Sequence, residues 1–174
     1  MDTFSGVLRK SENPYERILC AVDDSPAARQ AFDAAVALAV ALGAELHVLA
    51  VVQIADEYAA AFEAEGFDPD GSMSTIYADA RTAVKALGGD AIARGARMKP
   101  HVLGGSDVAE RIVQSATANR CGLIVLGTHG RGGIARAVLG STAEGVLRSS
   151  TIPVLVLRDP RNASAPSTHA SPES

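Results

Sequence analysis

Leu123-Ile124-Val125-Leu126-Gly127-Thr128-His129-Gly130, followed after nine residues by Gly140-Ser141-Thr142-Ala143-Glu144, couples a short apolar run to two glycine-framed turns. An apolar run of this length bounded by turn residues reads as a strand buried on both faces, as in a parallel sheet. Glycine enters φ > 0 at no steric cost and lets a ligand approach the main chain, so successive N–H groups can converge on one anion. Ser141 heads a Ser-x-x-Glu capping box with Glu144, which predicts a helix running from Ser141 to near Ser149. Its N-terminus would present unpaired donors and the positive end of a helix dipole. Together the two turns predict a cradle for phosphate oxygens; taken singly, each reads as well as a turn and a cap.

Three further apolar runs lie at Ile18 to Val22, Leu46 to Val52 and Val154 to Leu157, and helical patterns alternate with them. Such alternation predicts an α/β fold on a parallel sheet. Ser25, Pro26 and Gly43 bracket a helix over Ala27 to Leu42 with a cap, a first-turn proline and a C-terminal glycine. Ile76, Ala80, Ala83, Val84 and Leu87 share one helical face, and Gly88-Gly89 is expected to interrupt that helix. Val108, Ile112, Ser115 and Ala116 mark another, started by Ser106 or Asp107. A strand over Met98 to Leu103 contains Pro100, whose missing N–H confines it to a sheet edge. Right-handed crossovers then favour a single open five-stranded parallel sheet of order 3-2-1-4-5, with helices on both faces. Ligands of such sheets bind where the winding reverses, beyond the carboxyl ends of the strands. The glycine turn after Leu126 and the pair Asp23-Asp24 after Val22 both fall there.

At 174 residues and 47% apolar content, the chain has room for one domain with one core, expected over residues 17–158. Residues 1–16 read as a polar arm and residues 159–174, rich in Pro, Ser, Ala and Asn, as a disordered tail. A net charge of -4, 4% aromatic residues and no Trp argue against nucleic acid as a partner. The longest apolar stretch, Ala31 to Leu42, contains Asp33 and is too short to span a bilayer, and the start of the chain does not resemble a secretory signal. A cytoplasmic protein without membrane contact is expected. Cys20 and Cys121 lack metal or redox spacing and read as buried thiols.

Other motifs weigh less. No Gly-Lys-Ser/Thr follows the glycines, which excludes a Walker A loop. Gly130-Arg131-Gly132-Gly133-Ile134-Ala135 matches G-x-G-x-x-A but begins beyond the strand end, which weakens a dinucleotide reading. Asp68-Pro69-Asp70-Gly71 has its glycine too early for a calcium loop and reads as an acidic surface turn. The acidic stretch Gln53 to Met73 reads as an excursion over the mouth of the site. His47 and His101 fall in strands and read as satisfied side chains, whereas His129 lies in the glycine loop, where it either contacts phosphate or shapes the loop. Arg131 and Arg136 border that loop and are placed to neutralise phosphate or to face water. No nucleophile and base stand out, so no catalytic residue is assigned.

Gly127-x-x-Gly130, nine residues and Gly140-Ser141 resemble the phosphate motif of ATP-binding members of the universal stress protein family. The resemblance runs from Ile18-Leu19-Cys20-Ala21-Val22-Asp23 through Gly43-Ala44-Glu45-Leu46-His47-Val48 to Pro153-Val154-Leu155-Val156-Leu157. It implies a Rossmann-like fold of the adenine nucleotide alpha hydrolase type, and a stress-response regulator that works through nucleotide-dependent conformation or partner binding. By that likeness Asp23, with Ala21 and Val22, would contact the nucleoside, and the main chain near Val51 would meet the adenine edge. Leu126, Gly127, Thr128, His129, Gly130 and Arg131, with Gly140, Ser141 and Thr142, would hold ribose and phosphates. A divalent Mg or Mn ion would bridge the phosphates of ATP, and a homodimer would pair through the last strand, Val154 to Leu157. A slow ATPase using Asp23 with Arg131 or Arg136, and a nucleotide-free dimeric scaffold, are the alternatives. Three departures from the family pattern stand out: Asp24 replaces a common glycine, Gly122 a common Asp, and Gly88-Gly89 falls inside a helix.

Overall fold

The computed structural model describes residues 13–66, 68, 71–128 and 139–158. Residues 1–12 of the expected arm over 1–16, the tail over 159–174 and the loop residues His129, Gly130, Arg131 and Arg136 lie outside them. In chain order the elements are β1 (Arg17–Ala21), α1 (Pro26–Leu42), β2 (Glu45–Gln53), α2 (Asp56–Glu65) and α3 (Ser72–Ala93). There follow β3 (Arg97–Gly105), α4 (Val108–Ala118), β4 (Leu123–Gly127), α5 (Ser141–Ser149) and β5 (Val154–Leu157). The five strands form one sheet in the order β3-β2-β1-β4-β5. Every pairing is parallel, with Ile18 opposite both Leu46 and Leu123.

Both faces of the sheet are covered, which is why its strands are continuously apolar. On one face Ile18, Cys20, Leu46, Val48 and Val125 pack against Phe32, Val36 and Ala39 of α1 and Val84 and Ala91 of α3. On the other, Leu19, Leu49, Ile124 and Leu126 pack against Ile112 and Ala116 of α4 and Ala143 and Val146 of α5. The caps of α1 form as the sequence predicts: the Ser25 hydroxyl accepts from the Ala28 N–H, Pro26 opens the first turn, and Gly43 closes the helix at φ 64°. Asp107 caps α4, its carboxylate accepting from the Glu110 N–H.

Two expectations fail locally. The helix over Ile76 to Leu87 does not stop at Gly88-Gly89 but runs unbroken from Ser72 to Ala93. A Cβ on Gly88 would stand 3.1 Å from the sulfur of Met98, so this glycine lets α3 lie close on β3. Tertiary packing there outweighs a propensity penalty of about 1 kcal/mol. The acidic stretch after Gln53 is no open excursion either; much of it is α2, with Asp56 and Glu57 complementing the dipole in its first turn. Its Glu63 carboxylate accepts from the Tyr77 hydroxyl and the Gly104 N–H, at 3.1 and 2.8 Å, which ties α2 to α3 and the end of β3. Asp68 accepts from the N–H groups of Met73 and Ser74 in the first turn of α3; the Ser74 side chain first, and then these amides, hold its carboxyl below the usual range.

Pro100 sits in β3, an edge strand, opposite Val48. Near it His47, 2% exposed, and His101 stack with ring centroids 5.0 Å apart and share a 2.9 Å contact between Nδ1 and Nε2. Glu45 lies 3.0 Å from His47 Nε2, so that nitrogen donates and His47 Nδ1 accepts from His101. Burial, the largest cause, pulls both imidazoles below their ordinary value, with Lys99 adding to it. The unfolded chain therefore binds protons first on acidification. This contribution to stability is complete above the unfolded value near pH 6.5 and declines as pH falls through the folded values. Chemical denaturation at pH 7.5 and 5.5 is expected to show lower stability at the acid end, with a smaller drop in His47→Gln; equal drops would rule out this origin.

Candidate functional site: a cleft where the winding reverses

A cleft of about 1170 Å³ opens beyond the carboxyl ends of β1, β2 and β4. Ala21, Val22 and Asp23 line it from β1, Val51 from β2, Leu126, Gly127 and Thr128 from β4, and Gly140, Ser141 and Thr142 from the start of α5. These are all the candidate residues that the described structure contains. The wall that sequence reading missed is α3, which lends Ile76, Asp79, Ala80, Ala83 and Leu87. Their helical periodicity was legible, but it does not distinguish a face turned to the core from one turned to a cavity. α2 does not line the cleft, although Gln53 and Ile54 just before it do.

Main-chain hydrogen bonding revises the phosphate cradle. Thr128 donates its N–H to the Leu157 carbonyl at 2.8 Å, and Gly140 donates its own to the Thr128 carbonyl at 2.6 Å. Those two amides hold the turns together and are not available to an anion. Gly140 is the N-cap of α5, in extended conformation, and no side chain caps the helix. Its carbonyl receives the Glu144 N–H, so Ser141 already lies inside the helix and the expected capping box does not form. The donors left to a ligand are the first-turn N–H groups of Ser141, Thr142 and Ala143, which no helix can satisfy internally. They coincide with the positive end of the dipole.

Gly127 also has a structural role. A Cβ there would lie 2.7 Å from the carbonyl carbon of Ala27 and 2.8 Å from its Cβ, so the glycine admits the first turn of α1 against the end of β4. Gly122 is explained in the same way, since a side chain would strike the Pro14 carbonyl.

At the opposite side of the cleft, Leu49 accepts from the Val22 N–H at 2.9 Å, the last rung between β2 and β1. Strand groups alternate direction with period two, so the N–H and carbonyl of Val51 face the same way as those of Leu49, past the end of β1. They form a free polar edge inside the cleft. Asp23 turns one carboxylate oxygen to the Ser25 N–H at 2.9 Å, which fixes the entry into α1. The described lining carries the carboxylates Asp23, Asp24 and Asp79 and no Lys, Arg or His. Among the described residues no three His, Cys, Asp or Glu are grouped to hold a metal ion. None of the described helices is long and apolar enough to cross a membrane.

The family model of the Universal stress protein family matches residues 14–158. The chain belongs to this family. It is 29% identical over 161 residues to Universal stress protein MJ0531 of Methanocaldococcus jannaschii, covering 90% of each chain. Universal stress protein UspA from Lactobacillus plantarum shares the fold with a TM-score of 0.69 and 29% identity, over 83% of this chain and 98% of that one. At 21% identity and a TM-score of 0.60, the universal stress protein from Archaeoglobus fulgidus in complex with dAMP shows the fold alone, over 82% of this chain and 98% of its own. Within this universal stress protein, the cleft sits where α/β sheets of its winding take ligands.

Proposed function

We propose that this universal stress protein binds an adenine nucleotide, ATP in the first instance, and acts as a cytoplasmic regulator whose conformation or partners follow occupancy. The observation that carries the reading is one cleft with two complementary ends: the main-chain edge of Val51 and the open N-terminus of α5. The first suits the donor and acceptor edge of adenine, the second the phosphates. The dAMP complex of the Archaeoglobus protein supports an adenine nucleotide in this fold. His129, Gly130 and Arg131 would complete the phosphate side.

A Mg or Mn ion would come with the nucleotide, held by phosphate oxygens and water with Asp23 or Asp24 alongside. It would offset the charge of three carboxylates against a polyphosphate. Pairing of two copies through β5 would cover an edge strand whose four residues, Val154–Leu157, are half-buried. Hydrolysis is the weaker reading, because Asp23 spends an oxygen on the Ser25 N–H.

Ser141→Asp tests the site without testing the fold. A carboxylate in the first turn of α5 favours the helix dipole, so stability is expected to hold or rise by about 0.3–1 kcal/mol. The same charge faces the phosphates, and ATP affinity by calorimetry is expected to fall at least about tenfold, or roughly 1.4 kcal/mol, with adenosine little changed. Unaltered ATP affinity would remove the phosphates from the α5 N-terminus.

A further inference from the structure

The cleft is bounded by α1 on one side and α3 on the other, and just beyond it the two helices are joined by charge. Ala28 of α1 and Leu87 of α3 line the cleft. One residue after Ala28, Arg29 bonds Asp90 at 2.7 Å and reaches Asp33 at 3.4 Å. From α3, Arg94 bonds the Asp33 carboxylate at 2.7 Å, its main-chain carbonyl at 3.2 Å, and approaches Asp90 at 3.7 Å. Each arginine thus meets both aspartates, and the four alternate in sign across the helix gap. The guanidinium of Arg29 also lies 5.5 Å from the centre of the Phe32 ring, which fixes its position above the core.

On α3 the residues Ala83, Leu87, Asp90 and Arg94 follow one another at helical spacing, so a single stripe changes from cavity wall to ion pairs within one turn. Gly88 seats the same level of the helix on Met98. Nearer the start of α3, Ile76 of the cleft wall is 41% exposed. The ion pairs therefore join the same two helices that lend Ala28 and Leu87 to the cleft.

We propose that Arg29, Asp33, Asp90 and Arg94 form a positioning clasp that holds the α3 wall at the spacing a nucleoside requires. This rests on the nucleotide reading of the cleft. None of the four touches the ligand. Isolated pairs this exposed contribute little, but a closed network of four charges shares its ordering cost and is the favourable case.

Adenosine is the appropriate probe, because it is uncharged and salt cannot act on it through phosphate. Asp90→Arg, which places three arginines around Asp33, is expected to weaken adenosine binding about fivefold, equivalent to about 1 kcal/mol. The fourfold exchange Arg29→Asp, Asp33→Arg, Asp90→Arg and Arg94→Asp restores the alternation and is expected to recover affinity to within about twofold of the native protein. Raising salt from about 0.05 M to about 1 M should weaken adenosine binding in the native protein and leave Asp33→Asn/Asp90→Asn unaffected. If Asp90→Arg does not fold, Asp90→Asn carries the same expectation at smaller size. Native-like adenosine affinity in a folded clasp variant would overturn the proposal while the nucleotide reading stands. Failure of the native protein to bind both adenosine and ATP would overturn both.

Discussion

Gly127→Val is expected to destabilise the protein by about 3 kcal/mol or more, at the upper end of the range for overpacked sites. Its Cβ alone would fall 2.7 Å from the Ala27 carbonyl carbon and 2.9 Å from the Ala28 nitrogen, where the contacts are main chain and cannot rotate away. Relief would require the first turn of α1 to lift from β4, which would also displace the Ser25 cap and the Asp23 turn at the edge of the cleft. Denaturant titration of the variant checks this, with the midpoint shift as the readout. A variant of native stability that has lost only nucleotide binding would show that Gly127 serves the ligand and not the helix. The distinction matters because the motif Gly127-x-x-Gly130 reads, in one dimension, as a phosphate loop throughout.

Phe32→Ala is the other large effect, expected to cost about 3–5 kcal/mol, the usual range for removing a buried aromatic ring. Phe32 is fully buried on α1, in the cluster with Ile18, Cys20, Leu46 and Val125 from the middle of the sheet and Val84 from α3. Its loss empties the space beneath the Arg29 guanidinium, which lies 5.5 Å from the ring centre. Thermal unfolding is expected to show a much lowered midpoint. A cost below about 1 kcal/mol would mean that the α1 face can collapse onto the sheet, contrary to the close packing of protein interiors.

Much of the architecture was legible because the signals are local. A continuous apolar run says that a strand is covered on both faces, and four such runs with helices between them leave few topologies. Pro100 placed β3 at the edge because one missing N–H cannot be accommodated between two strands. Ser25, Pro26 and Gly43 bounded α1 within a residue because each acts on its own turn. The location of the cleft followed from topology, and the described candidate residues do line it.

What failed has a common physical origin. Gly88-Gly89 reads as a break, but α3 continues, since the gain from lying on Met98 comes from a strand later in the chain. α2 was hidden in an acidic stretch with a single buried residue, Ala59, and is held through Glu63 by Tyr77 and Gly104. The Ser141-Glu144 pattern matches a capping box, yet the Gly140 carbonyl already accepts the Glu144 N–H and the helix has begun.

From residue order came the sheet, its winding and the crevice at the reversal, because periodicity, caps and turn propensities are properties of a few neighbouring residues and their exposure to water. Which amides remain open in that crevice was settled by three-dimensional packing. Thr128 and Gly140 give theirs to carbonyls of Leu157 and Thr128, while Val51 keeps its edge only because β1 ends before reaching it. A hydrogen-bond donor is claimed by whichever acceptor the folded chain brings within about 3 Å, and that acceptor can come from a different strand.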